Sequence, residues 1–457
     1  MYMTMALVFV FGYLCIAFEH TLRIDKAASA LLTAVLSWTV LVLGAESILP
    51  ALEVASHGGD ASHMVTTELR HHLGEISEIL FFLLGAMTIV ELVDAHEGFK
   101  VITDRIKTTK RVKLLWLVGF ITFFLSAVLD NLTTTIVMIS LLRKLVGDDK
   151  ERWLYAGIVV IAANAGGAWS PIGDVTTTML WIGNQISTGG IISQLFLPSL
   201  VCLLVPLSVL SMQLKGDTPR PEKHASDEGH TSPTTPFERK LVFALGIGAL
   251  LFVPVFKTVT HLPPYMGILL GLAILWIVTE MIHRGKNDED KNPLSVVGVL
   301  RRVDTPSVLF FLGILLAVSS LATAGHLTAA ALALKDSLGN IYLINIAIGL
   351  LSAMVDNVPL VAGAMKMYPL VSPEALAASG DQYEWLKFFV QDGRFWEMLA
   401  YCAGTGGSCL IIGSAAGVAA MGMEKIDFMW YLKKISFLAF LGYMAGAMTY
   451  IGMVMLA

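Results

Sequence analysis

Charged side chains are scarce in this chain. Lys, Arg, Asp and Glu make up 15% of its 457 residues while 55% are strongly hydrophobic, and soluble domains carry roughly a quarter charged residues. So few charges cannot cover the surface of a dissolved protein this size, which excludes soluble enzymes and receptors with large outer domains. The net charge of −5 has no basic block behind it, so nucleic acid is not an expected partner. Cysteine is also sparse. Cys15, Cys202, Cys402 and Cys409 lie in apolar stretches without a C-x-x-C pair, which points to packing rather than zinc or redox chemistry. The first apolar stretch has neither a basic leader nor a small-residue cleavage site and reads as a retained span. No cofactor, no catalytic chemistry and no soluble partner are implied. Membrane lipid is the expected surrounding.

What the chain has in abundance is apolar runs. Segments of membrane-crossing length fall near 2–19, 27–50, 74–93, 153–182, 191–213, 241–257, 264–283, 307–325, 396–424 and 435–457, given that a crossing helix needs about 20 residues. Two further runs, 114–142 and 341–369, are each interrupted by an Asp-Asn pair. Basic residues flank the first run on both sides: Lys100, Arg105, Lys107, Lys110, Arg111 and Lys113 before it, Arg143, Lys144, Lys150 and Arg152 after it. The positive-inside rule then puts both of its ends in the cytoplasm, so it reads as a re-entrant hairpin. Outward counting leaves loop 51–73 and the N-terminus outside. The segment around Arg23 and Lys26 falls inside, as does 214–240 with Lys215, Arg220, Lys223, Arg239 and Lys240. Loop 284–306, with Arg284, Lys286, Arg301 and Arg302, also falls inside, and so does 426–434 with Lys433 and Lys434. Run 341–369 therefore enters from outside, and the C-terminus is expected outside.

The two halves repeat one another in order. LFFLLG at 80–85 recurs as LFFLG at 309–313, LSAVLDN at 125–131 as LSAMVDN at 351–357, and NAGGAWSPIGD at 164–174 as GTGGSCLIIGS at 404–414. The expected architecture is an all-α polytopic membrane protein with inverted-topology repeats, two re-entrant helical hairpins and broken transmembrane helices. The first repeat is 1–213, with hairpin 114–142, and 214–240 is a cytoplasmic linker containing Pro219, Pro221, Pro233 and Pro236. The second, inverted repeat is 241–457, with hairpin 341–369. Inverted repeats with broken helices characterise alternating-access secondary transporters, whose site lies where the repeats meet.

The polar interruptions carry the chemistry. Asp130, Asn131, Thr133 and Thr134 mark the first hairpin tip, and Asp356, Asn357 and the helix-breaking Pro359 mark the second. A carboxylate at the centre of a membrane helix costs at least ~2.5 kcal/mol on insertion scales, so it needs a cation, a proton or a donor. No Lys or Arg is a sequence neighbour of either tip, and Lys366 is the one basic residue expected near the second. The glycine-rich breaks add Asn164, Ser170 and Asp174 with Thr176 and Thr177 from one half, and Thr405, Ser408 and Ser414 from the other. Freed carbonyls with Asn, Ser and Thr oxygens are hard ligands suited to a small alkali cation. The expected cation set is Asp130, Asn131, Thr133, Asn164, Asp174, Asp356, Asn357, Thr405 and Ser408, with Asp130, Asp356 and Asp174 exchanging cation for proton. Asp174 has no acidic counterpart, since Ser414 stands in its place. His71, His72 and His96 are expected at the membrane edge in ordinary solvation.

On LSAVLDNLTTT, LSAMVDNVP, NAGGAWSPIGDVTTT and GTGGSCLIIGSAAG, the chain resembles the NhaD type of sodium/proton antiporter in the ion transporter superfamily. That resemblance covers essentially the whole chain. It implies hairpin tips and unwound crossings that hold sodium, a homodimer, an elevator-type transport domain and a bacterial inner membrane. The superfamily's carboxylate carriers have a serine before the tip asparagine, where this chain has Asp130 and Asp356. Two carboxylates would repel an anionic substrate. The functional expectation is exchange of Na+ or Li+ for H+, with a sodium-coupled carrier of a small anion such as a dicarboxylate as the alternative.

Overall fold

The computed structural model describes residues 1–49, 60–103, 106, 108–218, 234–287 and 291–456. Arg105, Lys107, Pro219, Arg220, Pro221, Lys223 and Pro233, together with 51–59 of the first expected loop, lie outside the described residues. The principal helices are α1 (Tyr2–Ala17), α2 (Lys26–Leu43), α3 (Ala61–Ala95), α4 (Arg111–Leu129), α5 (Asn131–Leu145), α6 (Asp149–Ala168), α7 (Val175–Ile182) and α8 (Thr188–Gln213). They continue as α9 (Pro236–Thr260), α10 (Pro264–Ile282), α11 (Thr305–Thr323), α12 (His326–Leu338), α13 (Ile341–Ser352), α14 (Asn357–Met367), α15 (Arg394–Gly406), α16 (Ala415–Glu424) and α17 (Ser436–Leu456). Among the described residues there is no β-sheet, only an isolated bridge between Lys110 and Asp217.

Eight of these helices are long and apolar enough to cross a membrane: α2, α3, α4, α8, α9, α10, α11 and α17. Helices α12 and α13 form a further apolar pair, bent by 115°. Outward faces are apolar too, with Leu251, Val255 and Val259 on α9 and Ile274 and Ile277 on α10 all exposed. Such a surface would aggregate in water and is at home in lipid. The protein is a multi-pass, all-α membrane protein.

Packing sorts the helices into two groups. Helices α1, α2, α3, α9, α10 and α11 pack on one another, while α4 to α8 pack with α13 and α15 to α17. Across the seam, α14 lies on α11, α7 on α3, and α4 on α9. The matched glycines explain how the second group closes up. A side chain at Gly166 would strike the backbone carbonyl of Phe123, and one at Gly406 would strike that of Gly349. Ser126 donates to the Ala163 carbonyl at 2.6 Å, and Ser352 donates to the Ala403 carbonyl at 3.0 Å. Each hairpin is thus held to the broken helix behind it by the same pair of contacts.

Several expectations need correction. Residues 61–73 are not loop. They form the first turns of α3, a helix of 35 residues whose start is capped by Asp60 accepting from Ser62 and His63. Residues 236–240, expected as linker, are helical: a reciprocal cap of Thr235 with Glu238 starts α9. Helix α12 was not foreseen, because its polar Lys335, Asp336 and Ser337 dilute the apolar pattern. His72 and His96 are buried rather than solvated.

His96 follows α3 and His283 follows α10, and their Nε2 atoms lie 2.8 Å apart. With His96 Nδ1 donating to the Leu92 carbonyl at 2.7 Å, its Nε2 accepts from His283. Burial, then Lys286 and His96, push His283 down from 6.5 to about 4, and burial also lowers His96. A second proton would set two N–H groups against each other. The unfolded chain binds more protons here, so this stabilisation is present above pH 6.5 and is lost as pH falls toward about 4.

Two measurements check these contacts. Gly166→Ala and Gly406→Ala should each cost about 1–3 kcal/mol through overpacking, read as a lowered thermal midpoint in detergent; unchanged midpoints would mean the backbones are not in contact. The wild-type midpoint should fall between pH 6.5 and about 4 more steeply than that of His283→Gln, and parallel curves would remove the histidine pair as the cause.

Candidate functional site

Both Asp-Asn tips are helix breaks whose acid caps the outgoing arm. Asp130 ends α4 and caps α5, accepting from the Thr133 backbone N–H and Oγ1, each at 2.8 Å. Its φ of +98° lies in a region that L-residues avoid, a local strain of the kind that marks functional turns. Asp356 caps α14 by accepting from the Val358 N–H at 3.2 Å, at an ordinary φ of −49°. The glycine-rich breaks behave alike: Asp174 caps α7, and Ser414 caps α16.

Four helix N-termini therefore meet at the breaks. Aligned N–H dipoles favour negative charge, and three of the four are met by a carboxylate supplied from the chain itself.

Asp174 is the centre of the arrangement. It is 1% exposed, and its Oδ1 accepts from the Thr176 N–H and Oγ1, both at 2.8 Å. Its Oδ2 accepts from Asn131 Nδ2 at 2.6 Å, while Asn357 Nδ2 stands 3.5 Å from both oxygens. The two tip asparagines, one from each hairpin, thus address one carboxylate. Asn131 also donates to Asn164 Oδ1 at 3.0 Å, and Asn164 Nδ2 donates to Ser408 Oγ and Ser414 Oγ, each at 2.9 Å. This chain of amides ties the two glycine-rich breaks together.

Asp130, Asp174 and Asp356 line one cavity, with Asn131, Asn357 and Thr133 between them. Eight of the nine residues expected to hold a cation are thereby joined by the cavity or the amide chain. Thr405 is apart, its hydroxyl turned back to the Tyr401 carbonyl at 2.6 Å. Among the weaker candidates, Ser170 and Thr177 bond the carbonyls of Ala127 and Asp174, whereas Thr134 Oγ1 is buried with no hydrogen-bond partner among the described residues. Among the described residues no group of three or more His, Cys, Asp or Glu converges on a single point. The carboxylate, amide and hydroxyl oxygens gathered here are all hard donors.

One charged cavity residue was not legible as part of the site. Lys26, at the start of α2, brings its ammonium to 3.4 Å from Asp356 Oδ2, so the second tip does have a basic neighbour. The 330 positions between them hid it. Lys366 points elsewhere, pairing with Glu75 at 2.8 Å near His72.

The sequence profile of the family described as "Citrate transporter" matches residues 13–386. The chain is 54% identical over 447 residues to Sodium/proton antiporter 1 of Arabidopsis thaliana, covering 98% of this chain and 72% of that protein. It is 50% identical to Sodium/proton antiporter 2 of the same plant, covering 98% of each chain. Identity to the Na(+)/H(+) antiporter NhaD of Vibrio cholerae is 30%, over 93% of this chain and 87% of that one. The chain belongs to the citrate transporter family of membrane transporters and, within it, to the group that includes these sodium/proton antiporters.

Proposed function

We propose that this protein exchanges Na+ or Li+ for H+ across its membrane. The observation that carries the reading is a single cavity with three carboxylates and one ammonium, a balance of −2 when all are ionised. Such a cavity attracts a small cation and repels a carboxylate substrate. The names of the plant and bacterial relatives support the same reading.

In the proposed cycle, protons and cation compete for Asp130, Asp174 and Asp356. A bound cation takes carboxylate oxygen from among them with amide and hydroxyl oxygens alongside; protonation neutralises the carboxylates and releases it. Because the three share one site, their titration belongs to the set rather than to single residues. Asn131 and Asn357 couple the hairpin tips to Asp174, so that its occupancy is felt in both hairpins. We further propose that 1–213 and 241–457 are two inverted halves, with hairpins entering from opposite faces. The group bearing the hairpins would slide as an elevator against α1, α2, α3 and α9 to α11 within a homodimer. A bacterial-type inner membrane, with sodium extruded by inward protons for sodium tolerance and pH homeostasis, is the proposed setting.

The second reading, a sodium-coupled carrier of a small anion, has the description of the matching family in its favour. It also has the four convergent helix N-termini, although Asp130, Asp174 and Asp356 already occupy three of them.

Purified protein in liposomes with an internal pH dye tests both. External NaCl or LiCl should drive proton movement and citrate or succinate should not be taken up; the reverse pattern overturns the antiporter. Asp174→Asn, Asp130→Asn and Asp356→Asn should each lower the initial rate at least about tenfold, the equivalent of one pK unit of lost interaction. Full activity in any of them removes that residue from the exchange. Asn164→Ala should raise the KM for sodium by roughly three- to tenfold, because three neighbours lose a hydrogen bond. An unchanged KM would make the amide chain purely structural.

A further inference from the structure

The three cavity carboxylates are not satisfied in the same way. Both oxygens of Asp130 accept from Thr133, and both oxygens of Asp174 accept from Thr176 or Asn131. Among the described residues Asp356 has a neutral donor on Oδ1 alone, from Val358, and its Oδ2 faces Lys26. One acid in the site is therefore held by a cation that belongs to the protein.

The position of that cation matters as much as its charge. Lys26 begins α2, in the helix group that lacks the hairpins, and Asp356 is the tip of the second hairpin. The pair thus spans the seam between the two groups. Its geometry suits a contact that must open: a single 3.4 Å approach, not bidentate, with the Lys26 and Asp356 side chains 28% and 17% exposed. When released, the ammonium has somewhere to stay, since it already stands 4.6 Å from the centre of the Phe310 ring, a distance at which an aromatic face attracts a cation. Lys26 also lines both cavities that meet at Asp356, the central one and a second one beside Tyr13 and Glu19. The other titratable groups around the pair are thus Tyr13, Glu19, Asp130 and Asp174.

We infer that Lys26 is a tethered competitor for the transported cation: it occupies Asp356 when neither Na+ nor H+ does, and in doing so it pins the empty hairpin to the stationary helices. The inference rests on the antiporter reading and supplies what that reading needs, a reason for the empty, deprotonated carrier not to cross. Without such a pin, an empty carrier could return and let sodium run down its gradient with no proton in exchange. Lysine suits the task because its ammonium is a compact point charge on a flexible stem that takes and leaves a carboxylate easily, whereas arginine's fork holds one.

The test uses full-length protein in liposomes at alkaline pH, where protons do not compete, and measures Na+-driven proton movement alongside radioactive sodium flux. Lys26→Gln should lower the KM for Na+ roughly fivefold, the scale of one partly exposed ion pair, and should raise sodium flux that is not matched by protons. Lys26→Arg should keep the flux coupled and raise the KM for Na+. A Lys26→Gln protein with wild-type KM and wild-type coupling overturns the inference while leaving the antiporter intact. If Lys26→Gln does not fold, an unchanged KM in Lys26→Arg overturns it equally. Wild-type protein that moves no protons with sodium overturns the antiporter reading, and this inference with it.

Discussion

A carboxylate buried between apolar helices must be met by donors, because a bare charge in that medium costs more than any single contact can offset. Asp174 sets this requirement for the whole molecule. Helix interiors have no spare N–H groups, so meeting it requires helix ends, and helix ends inside a membrane require broken helices. The glycine-rich break before α7 supplies the Thr176 N–H, and the two hairpins supply Asn131 and Asn357. The breaks are tolerable only because they are packed within protein, where Ser126 and Ser352 bridge each hairpin to the helix behind it.

The two Asp-Asn segments and the glycine-rich breaks behind them match in contacts and differ in charge. Gly166 and Gly406 meet equivalent carbonyls, and each broken helix restarts under a polar cap. One cap is Asp174 and the other Ser414, so the charge sits on one side of a nearly symmetric frame. A second carboxylate at 414 would have added repulsion without adding a donor. Asn164 instead spends both amide hydrogens on Ser408 and Ser414, which makes the neutral half a support for the charged one. The acids also differ in their freedom: Asp174 is enclosed by neutral donors, and Asp356 faces a cation.

Much of the architecture was legible because it depends on local pattern. Apolar runs marked helices long enough to cross a membrane, and the Asp-Asn pairs inside two of them marked breaks between helices. The tips and the breaks were expected in one site; six of the nine expected residues line one cavity, and Asn164 and Ser408 are joined to it by hydrogen bonds. The start of α3 was not legible, because residues 61–73 are too polar to register as a span, yet they lengthen a helix already begun in the membrane. The burial of His72 and His96 was not legible for another reason. Burial and side-chain direction depend on what packs against a residue, and a span assignment does not carry that information.

The sequence by itself determined that this chain lives in lipid, where its helices break and which acids stand at the breaks, because hydrophobic runs, glycine and buried charge act over a few neighbouring residues. Only the tertiary structure decided which partner each acid has. Asn131 reaches Asp174 across 43 positions, Asn357 reaches it across 183, and Lys26 reaches Asp356 across 330. Such pairings are set by how helices pack, and packing depends on shapes and directions that no stretch of sequence holds alone.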